Sequence, residues 1–560
     1  MNKCIECQQE FEIIEADREF YAKMGVTAPK LCPVDRSRRR LAWRNARSLY
    51  KRKCDLSGET IISHFSPAVS FPVYGTSQWY SDGWDPLSFG REFDFNRPFF
   101  EQYAELYNVV PQLARAEFGN ENCDYSNGVA NCRNCYLCFT VDYCEDCFYV
   151  SDSKYAKNCV DCLGVVKCEL CYECLRCDGC YDLQFSRRCS NCRESLWLAD
   201  CIGCINCIGC ANLQNKQYYI FNQPVSRKEF ERKKKELESR VAREVFVGQF
   251  EEWLKGLPKR YYFGHTNEDF SGDDVYHLKN SYNCYSGENL ENCRYCNYVF
   301  SAKDCMDYDI FGDNSEWIYN CVTTGLNCSY NIGTMYCWSG TSWCWYCCLA
   351  IGCQDCIGCI GLRNQRYCIL NKQYSKEEFE VMRERIKEHM MVTGEWGEFL
   401  PATMLPFAFN ETMGYEYHPL TRPEVEARGW RWKEPEDNIP KVERVVTADG
   451  LADGIDGAGL EVLNWAVGCA ESGRPYIIQQ GELKFYLKQR IPLPRYHPDV
   501  RHEKRMKLRN PYLLWERQCD CGEGGHGHDG TRCGTKFMSA YAPEREEKVY
   551  CEECYRKAVT

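Results

Sequence analysis

The sequence predicts a mainly β fold: two cysteine-rich β-solenoid arrays of about 15–16 residues per rung, with capping helices, flanked by small ribbon modules at both ends. Three observations predict it. Cysteines in the middle of the chain recur with a period of three, one part of that region repeats another, and short-spaced cysteine pairs stand near both ends.

The period comes first. From Cys123 to Cys210 every cysteine number is a multiple of three, and the same register through Leu213 holds only Cys, Ser, Val, Ala and Leu. The other two registers carry the charged residues and the tyrosines. An α-helix would scatter such a stripe around its surface and a single strand would show period two. Cys144, Cys159, Cys174, Cys189 and Cys204 are spaced by fifteen, as are Cys132, Cys147, Cys162, Cys177, Cys192 and Cys207. These spacings predict rungs of about fifteen residues with about five inward side chains each. The stacked thiols have three readings: small buried hydrophobes, ligands of soft metals, or disulfide ladders.

The repeat comes second. NCYSGENLENCRYC at 283–296 resembles NCDYSNGVANCRNC at 122–135, and CIGCIGLRNQRYCILNKQYSKEEFE at 356–380 resembles CIGCANLQNKQYYIFNQPVSRKEFE at 207–231. In the second array Cys305, Cys321, Cys337 and Cys353 are sixteen apart, as are Cys328 and Cys344. Each array is followed by a charged amphipathic segment. Ser226 with Glu229, and Ser375 with Glu378, predict capping boxes that start helices closing the array ends.

The termini come third. Residues 11–55 align with 476–520 at one offset of 465. The N-terminal copy offers Cys4-x-x-Cys7 and, after a finger of about 25 residues, Cys32-x-x-Asp35, the ligand layout of a tetrahedral zinc site. The C-terminal copy keeps only Cys469 and His497, with Ser472 and Val500 at the other two positions, and is predicted to have lost its metal. Beyond it, Cys551-x-x-Cys554 and Cys533 form a second ligand set. Cys521 supplies the fourth thiolate, with Cys519 as its alternative; His526 and His528 lie in the intervening loop as competitors. About one or two structural zinc ions are expected.

The N-terminal segment CIECQQEFEIIEADREFYAKMGVTAPKLCPVDR resembles a zinc-ribbon family marked by CxxC, an F–E–FY pattern and a C-P-x-C-R knuckle. This chain has Asp35 where the pattern has cysteine. The layout of ribbon, CxxC arrays and ribbon resembles uncharacterised zinc-ribbon proteins of uncultivated bacteria; the resemblance implies zinc ribbons and no activity. The predicted units are an N-terminal ribbon with a basic helix at 1–58, an aromatic-rich connector at 59–120 and the first array at 121–222. A capping helix at 223–260, the second array at 261–372 and a helix with linker at 373–440 follow. The degenerate ribbon at 441–520 and the C-terminal ribbon at 521–560 complete the chain.

Composition bounds the function. The chain has 560 residues, 43 cysteines and a net charge of −11. It has no apolar run long enough to span a bilayer and no signal-peptide core, which predicts a cytoplasmic chain whose thiols are buried or metal-bound rather than paired. The net charge argues against general nucleic-acid binding, yet Arg36, Arg40, Arg44, Arg47 and Lys51 would share one face of a basic helix spanning 36–53, able to dock on phosphate. No HExxH, GxSxG, P-loop or GxGxxG motif is present, so no enzyme is predicted. Three functions follow: a zinc-binding structural or interaction scaffold with an unidentified protein or RNA partner, an RNA- or ribosome-associated factor docking through the basic helix, and a thiol-based metal store or redox buffer.

Overall fold

The computed structural model describes residues 2–290, 327–434, 440–526, 528 and 531–559, with isolated positions between 302 and 325. Cys305, one of the cysteines used to infer the sixteen-residue spacing, lies outside the described residues, as does part of the first repeated segment. Among the described residues short strands in small sheets alternate with twelve helices. Helix and strand content are therefore roughly equal, where a mainly β chain was expected. The central region pairs largely through isolated bridges rather than long strands, and the terminal and linking segments are helical.

The central chain turns every twelve residues. Parallel bridges join Glu121 to Arg133, Arg133 to Glu145, Glu145 to Lys157 and so on to Ile202 with Gln214, each at the same offset. The expected fifteen-residue rung is thus corrected to twelve. Four sides of three residues make one turn, and four side chains point inward rather than five. Later in the chain the offset is thirteen from Tyr319–Ile332 to Trp338–Ile351, then twelve from Ser342–Gln354 to Ile351–Arg363, so the sixteen-residue spacing is not a rung either. Fifteen and sixteen are one turn plus one side: the CxxC pairs drift by a side per turn while keeping the inward register.

The inward stripe itself holds. Cys132, Cys144, Cys168, Cys180, Cys192 and Cys204 stand in one twelve-residue column with Ala156; all the cysteines of this region are buried. Hydrogen bonding explains why the stripe mixes Cys with Ser. The amide of Cys138 donates to Ser126 Oγ at 3.1 Å, Leu198 to Ser186 Oγ at 3.0 Å and Cys207 to Ser195 Oγ at 3.0 Å, each twelve residues earlier. A thiol does the same at longer range, as in Cys144 N to Cys132 Sγ at 3.4 Å. Each thiol's one proton can go to the carbonyl two residues back or the one nine ahead; Cys174 Sγ lies 3.5 Å from both the Tyr172 and the Leu183 carbonyl oxygens. A small side chain that both accepts and donates satisfies backbone groups that no water reaches.

The corners are equally regular. The residue before each inward position is left-handed, with φ of 48–59° at the non-glycine corners from Asn131 to Asn215. Each such residue costs an ordinary side chain about 1–2 kcal/mol, which Asn, Asp and Gly largely avoid. The corners accordingly include Asn131, Asn134, Asp146, Asn158, Asp161, Asn191, Asp200 and Asn206, with Gly164, Gly179, Gly203 and Gly209.

Both capping helices form as expected. Ser226 and Glu229 cap Arg227–Glu236, and Ser375 and Glu378 cap Lys376–Thr393, with reciprocal side-chain and backbone bonds. The first sets Phe230 against Trp197 and Ile208; the second buries Phe379, Ile386 and Met390.

The terminal copies share their secondary structure. Helices Glu15–Met24 and Pro33–Leu41 correspond to Gln480–Gln489 and Pro498–Lys507, and strand Tyr50–Lys53 to Trp515–Gln518, at the same offset of 465. The first helix and following loop of each copy pack on different parts of the central region, although Leu41 and Ala46 of the N-terminal copy also meet Phe139. Tyr21, Val26 and Leu31 of the N-terminal copy share a core with Tyr319, Ile332 and Tyr346. Leu483, Phe485 and Tyr486 of the C-terminal copy bury Tyr149, Leu170 and Tyr172. The connector's aromatic segment also serves as a cover: Trp79 is buried, and Trp84 stands beside Gly361.

His64 lies between Phe65 and Phe407, with Asn127 Nδ2 at 3.5 Å, and burial first, then nearby Arg115 and Arg44, push its pKa down to about 3 from 6.5. Between these values the unfolded chain binds a proton that the folded chain refuses. Stability contributed here is complete above about pH 6.5 and is lost as pH falls toward 3. The loss approaches about 1.4 kcal/mol per pH unit for the one proton. Denaturation of the full chain at pH 4–6.5 is expected to show a pH slope one proton shallower for His64→Gln. An unchanged slope would exclude His64 as a source of acid sensitivity.

Candidate metal centres

At the N-terminus the antiparallel pair Asn2–Lys3 and Glu10–Phe11 frames a tight turn that carries Cys4 and Cys7. Cys32 caps the helix Pro33–Leu41, and its Sγ accepts from the Asp35 amide at 3.5 Å. The sequence thus places two ligands on a turn and two at a helix start. The ligand atoms of Cys4, Cys7, Cys32 and Asp35 all lie within 4.8 Å of one another. Cys7 Sγ is 3.7 Å from Cys32 Sγ, close to the edge of about 3.8 Å for a tetrahedron with metal–sulfur bonds of about 2.3 Å.

Asp35 fits the fourth position. Its Oδ2 accepts from Cys4 Sγ at 3.2 Å and Cys32 Sγ at 3.4 Å, while Oδ1 pairs with the Arg38 guanidinium. Burial raises the Asp35 pKa, but hydrogen bonds from Cys7 and Cys4 and the charge of Arg38 outweigh it and hold the carboxyl below its usual value. Burial pushes the Cys7 thiol up to about 11 and Cys32 higher still. A metal entering this site would therefore displace protons from thiols beside an ionised carboxylate.

At the C-terminus strand Trp515–Gln518 pairs with Lys536–Ser539, and helix Glu552–Val559 follows Cys551. Cys519, Cys533, Cys551 and Cys554 are all buried, with sulfurs within 4.8 Å of one another. The four-sulfur group takes Cys519, the expected alternative, while Cys521 falls in a second group. Cys519 ends the strand with its Sγ toward the Cys551 amide at 3.2 Å, whereas Cys521 turns to His526 Nδ1 at 3.2 Å. Cys533, hydrogen-bonded first to Thr535 Oγ1 at 3.3 Å, has its pKa pushed down to about 7. A second group, Cys521, His526, His528 and Cys554, also lies within 4.8 Å and shares Cys554 with the first. Sequence reasoning placed these histidines only as competitors; the Cys-x-Cys and His-x-His spacings were the available signal.

No family model and no curated protein matches the chain. One similar solved structure is that of a "putative acetyltransferase" from Desulfovibrio desulfuricans G20, 10% identical over 47% of this chain and 69% of that one, with a TM-score of 0.10. So low a score carries no argument.

The degenerate copy gathers no group of three metal-ligating side chains among the described residues. Cys469 Sγ accepts from the Ser472 amide at 3.5 Å, and His497 Nδ1 accepts from the Asp499 amide at 3.1 Å, capping Pro498–Lys507. The central cysteines likewise form no such group among the described residues.

The basic helix differs most from expectation. It ends at Leu41 rather than reaching residue 53, and Arg36, Arg38, Arg40 and Arg44 are buried. Arg47 lies near Glu416 and Asp499 and over the Phe139 ring, and Lys51 sits on the strand Tyr50–Lys53. Tertiary packing against residues 409–418 covers the arginines: Arg38 donates to the His418 carbonyl at 3.1 Å, and Met413 N donates to the Arg44 carbonyl at 2.8 Å. No helix among the described residues is long and apolar enough to cross a membrane.

Proposed function

We propose that the protein is a non-enzymatic, zinc-binding scaffold: two cysteine-cored β-solenoid arrays, braced by ribbon modules of the zinc-ribbon type that the N-terminal motif resembles. The observation that carries this reading is that each terminal set supplies four protein donors. A metal so enclosed has no open position for substrate, which suits a structural role rather than catalysis. Thiolates with a carboxylate or all-thiolate donors at tetrahedral spacing suit zinc. In this reading the arrays present an outer surface with stacked, half-exposed rings, such as Tyr143 on Tyr155 at 5.0 Å, to a partner yet to be identified. The unit boundaries follow the sequence, with arrays at 121–222 and 261–372 between ribbon modules. The buried arginines give no support to RNA docking.

The test is elemental analysis of the full chain with Cys32→Ser and Cys551→Ser variants. Each substitution is expected to remove the metal at its own end and to increase protease cutting there. Ten or more metal ions per chain would replace the scaffold reading by storage, and a metal-free, stably folded chain would refute it.

A further inference from the structure

We propose that the C-terminal ribbon holds a dinuclear zinc centre bridged by the Cys554 thiolate. The inference rests on the reading that this ribbon binds metal, and extends it to a second ion. The two donor sets, Cys519–Cys533–Cys551–Cys554 and Cys521–His526–His528–Cys554, each fit within 4.8 Å and meet only at Cys554. A single ion at the four-thiol set leaves Cys521, His526 and His528 gathered with no coordination task.

The second set has the local geometry of a ligand cage. Cys521 Sγ lies 3.2 Å from His526 Nδ1, and Cys554 Sγ lies 3.5 Å from His528 Nε2. Each contact pairs a sulfur with a ring nitrogen close to the edge of about 3.5 Å expected when both bind one zinc, given bonds of about 2.3 Å to sulfur and 2.0 Å to nitrogen. Charge points the same way. Four thiolates around one divalent ion leave two negative charges uncompensated, whereas two ions sharing all five thiolates leave one. A bridging thiolate is the economical way to share donors between adjacent soft ions.

The test uses the full chain loaded with zinc, freed of loose metal and measured by elemental analysis, then reloaded with cadmium-113 for NMR. About three ions per chain are expected: one at the N-terminal set and two at the C-terminal ribbon. The His526→Ala/His528→Ala double variant is expected to hold about two. In the wild type, the cadmium signals of the ribbon should split by coupling through the shared sulfur. In the double variant a single uncoupled all-sulfur signal should remain. Two ions per chain in the wild type, or a double variant that keeps the wild-type content, would overturn the dinuclear centre and leave the scaffold reading standing. No ion at the C-terminal ribbon would overturn both.

Discussion

Replacing Arg501 by methionine is expected to destabilise the chain by about 3–5 kcal/mol, the cost of leaving buried charges without their partner. Arg501 joins two carboxylates whose side chains have no solvent exposure: Asp161 at a corner of the first array and Glu482 of the degenerate ribbon, 3.4 Å away. Tyr486 Oη stands 3.1 Å from the same guanidinium, and Arg505 adds bonds to Asp161 at 3.1 Å and Glu173 at 2.7 Å. Burial already pushes Glu482 above the usual carboxylate range, and Glu173 up to about 7 despite Arg505 beside it. With Arg501 gone, Asp161 would keep only Arg505, and Glu482 would lose its guanidinium partner in a dry interface. Protonation of Glu482, already pushed upward by burial, would relieve it, so the defect should shrink as pH falls from 7 toward 5. Urea denaturation of both proteins at the two pH values is the measurement. A loss under about 1 kcal/mol at pH 7 would show that the ribbon is not clamped through this cluster.

The second large effect is expected inside the array. Cys174 is fully buried, with Cys162 one turn before it and Ser186 one turn after. Cys174→Ser should be nearly neutral, because Ser186 already fills the same column, donating to the Gln184 carbonyl at 3.0 Å and accepting from the Leu198 amide at 3.0 Å. Cys174→Ala should cost about 1 kcal/mol. Cys174→Asp should cost several times more, since its carboxylate would meet the Tyr172 and Leu183 carbonyls where the thiol now donates. Thermal unfolding of the three variants checks the order. An Asp variant as stable as the Ser variant would mean that position 174 is open to water.

The inward register was legible because burial tolerates no exception at every third residue. The turn length was not, because every multiple of three satisfies that stripe. The deciding signal sat in the outward registers, where partners recur at twelve. Asn122, Asn134 and Asp146 form a hydrogen-bonded ladder, Arg133 and Lys157 flank Glu145, Arg188 pairs with Asp200 at 2.6 Å, and Phe185 stacks on Trp197 at 4.8 Å. A step of fifteen pairs none of these. At the metal sets, the ligand pairs separated by two residues were readable from sequence. Cys519 and Cys521 were not distinguishable, since the end of the strand decides which sulfur turns inward. The arginines of the first ribbon misled because their helical periodicity says nothing about residues 409–418, which close over them.

The exchange of covers between the two ends has a consequence for synthesis. Asp161 and Arg501, which join the first array to its cover, are 340 residues apart. At translation rates of about 5–20 residues per second, roughly 20–70 s pass between the appearance of one and of the other. During that interval the emerging first array carries Tyr149, Leu170 and Tyr172 bare, a sticky flank that the ribosome-bound chain cannot yet shield. Holding factors that bind nascent apolar surface should therefore engage this protein after the first array has emerged and release it only when the second ribbon arrives.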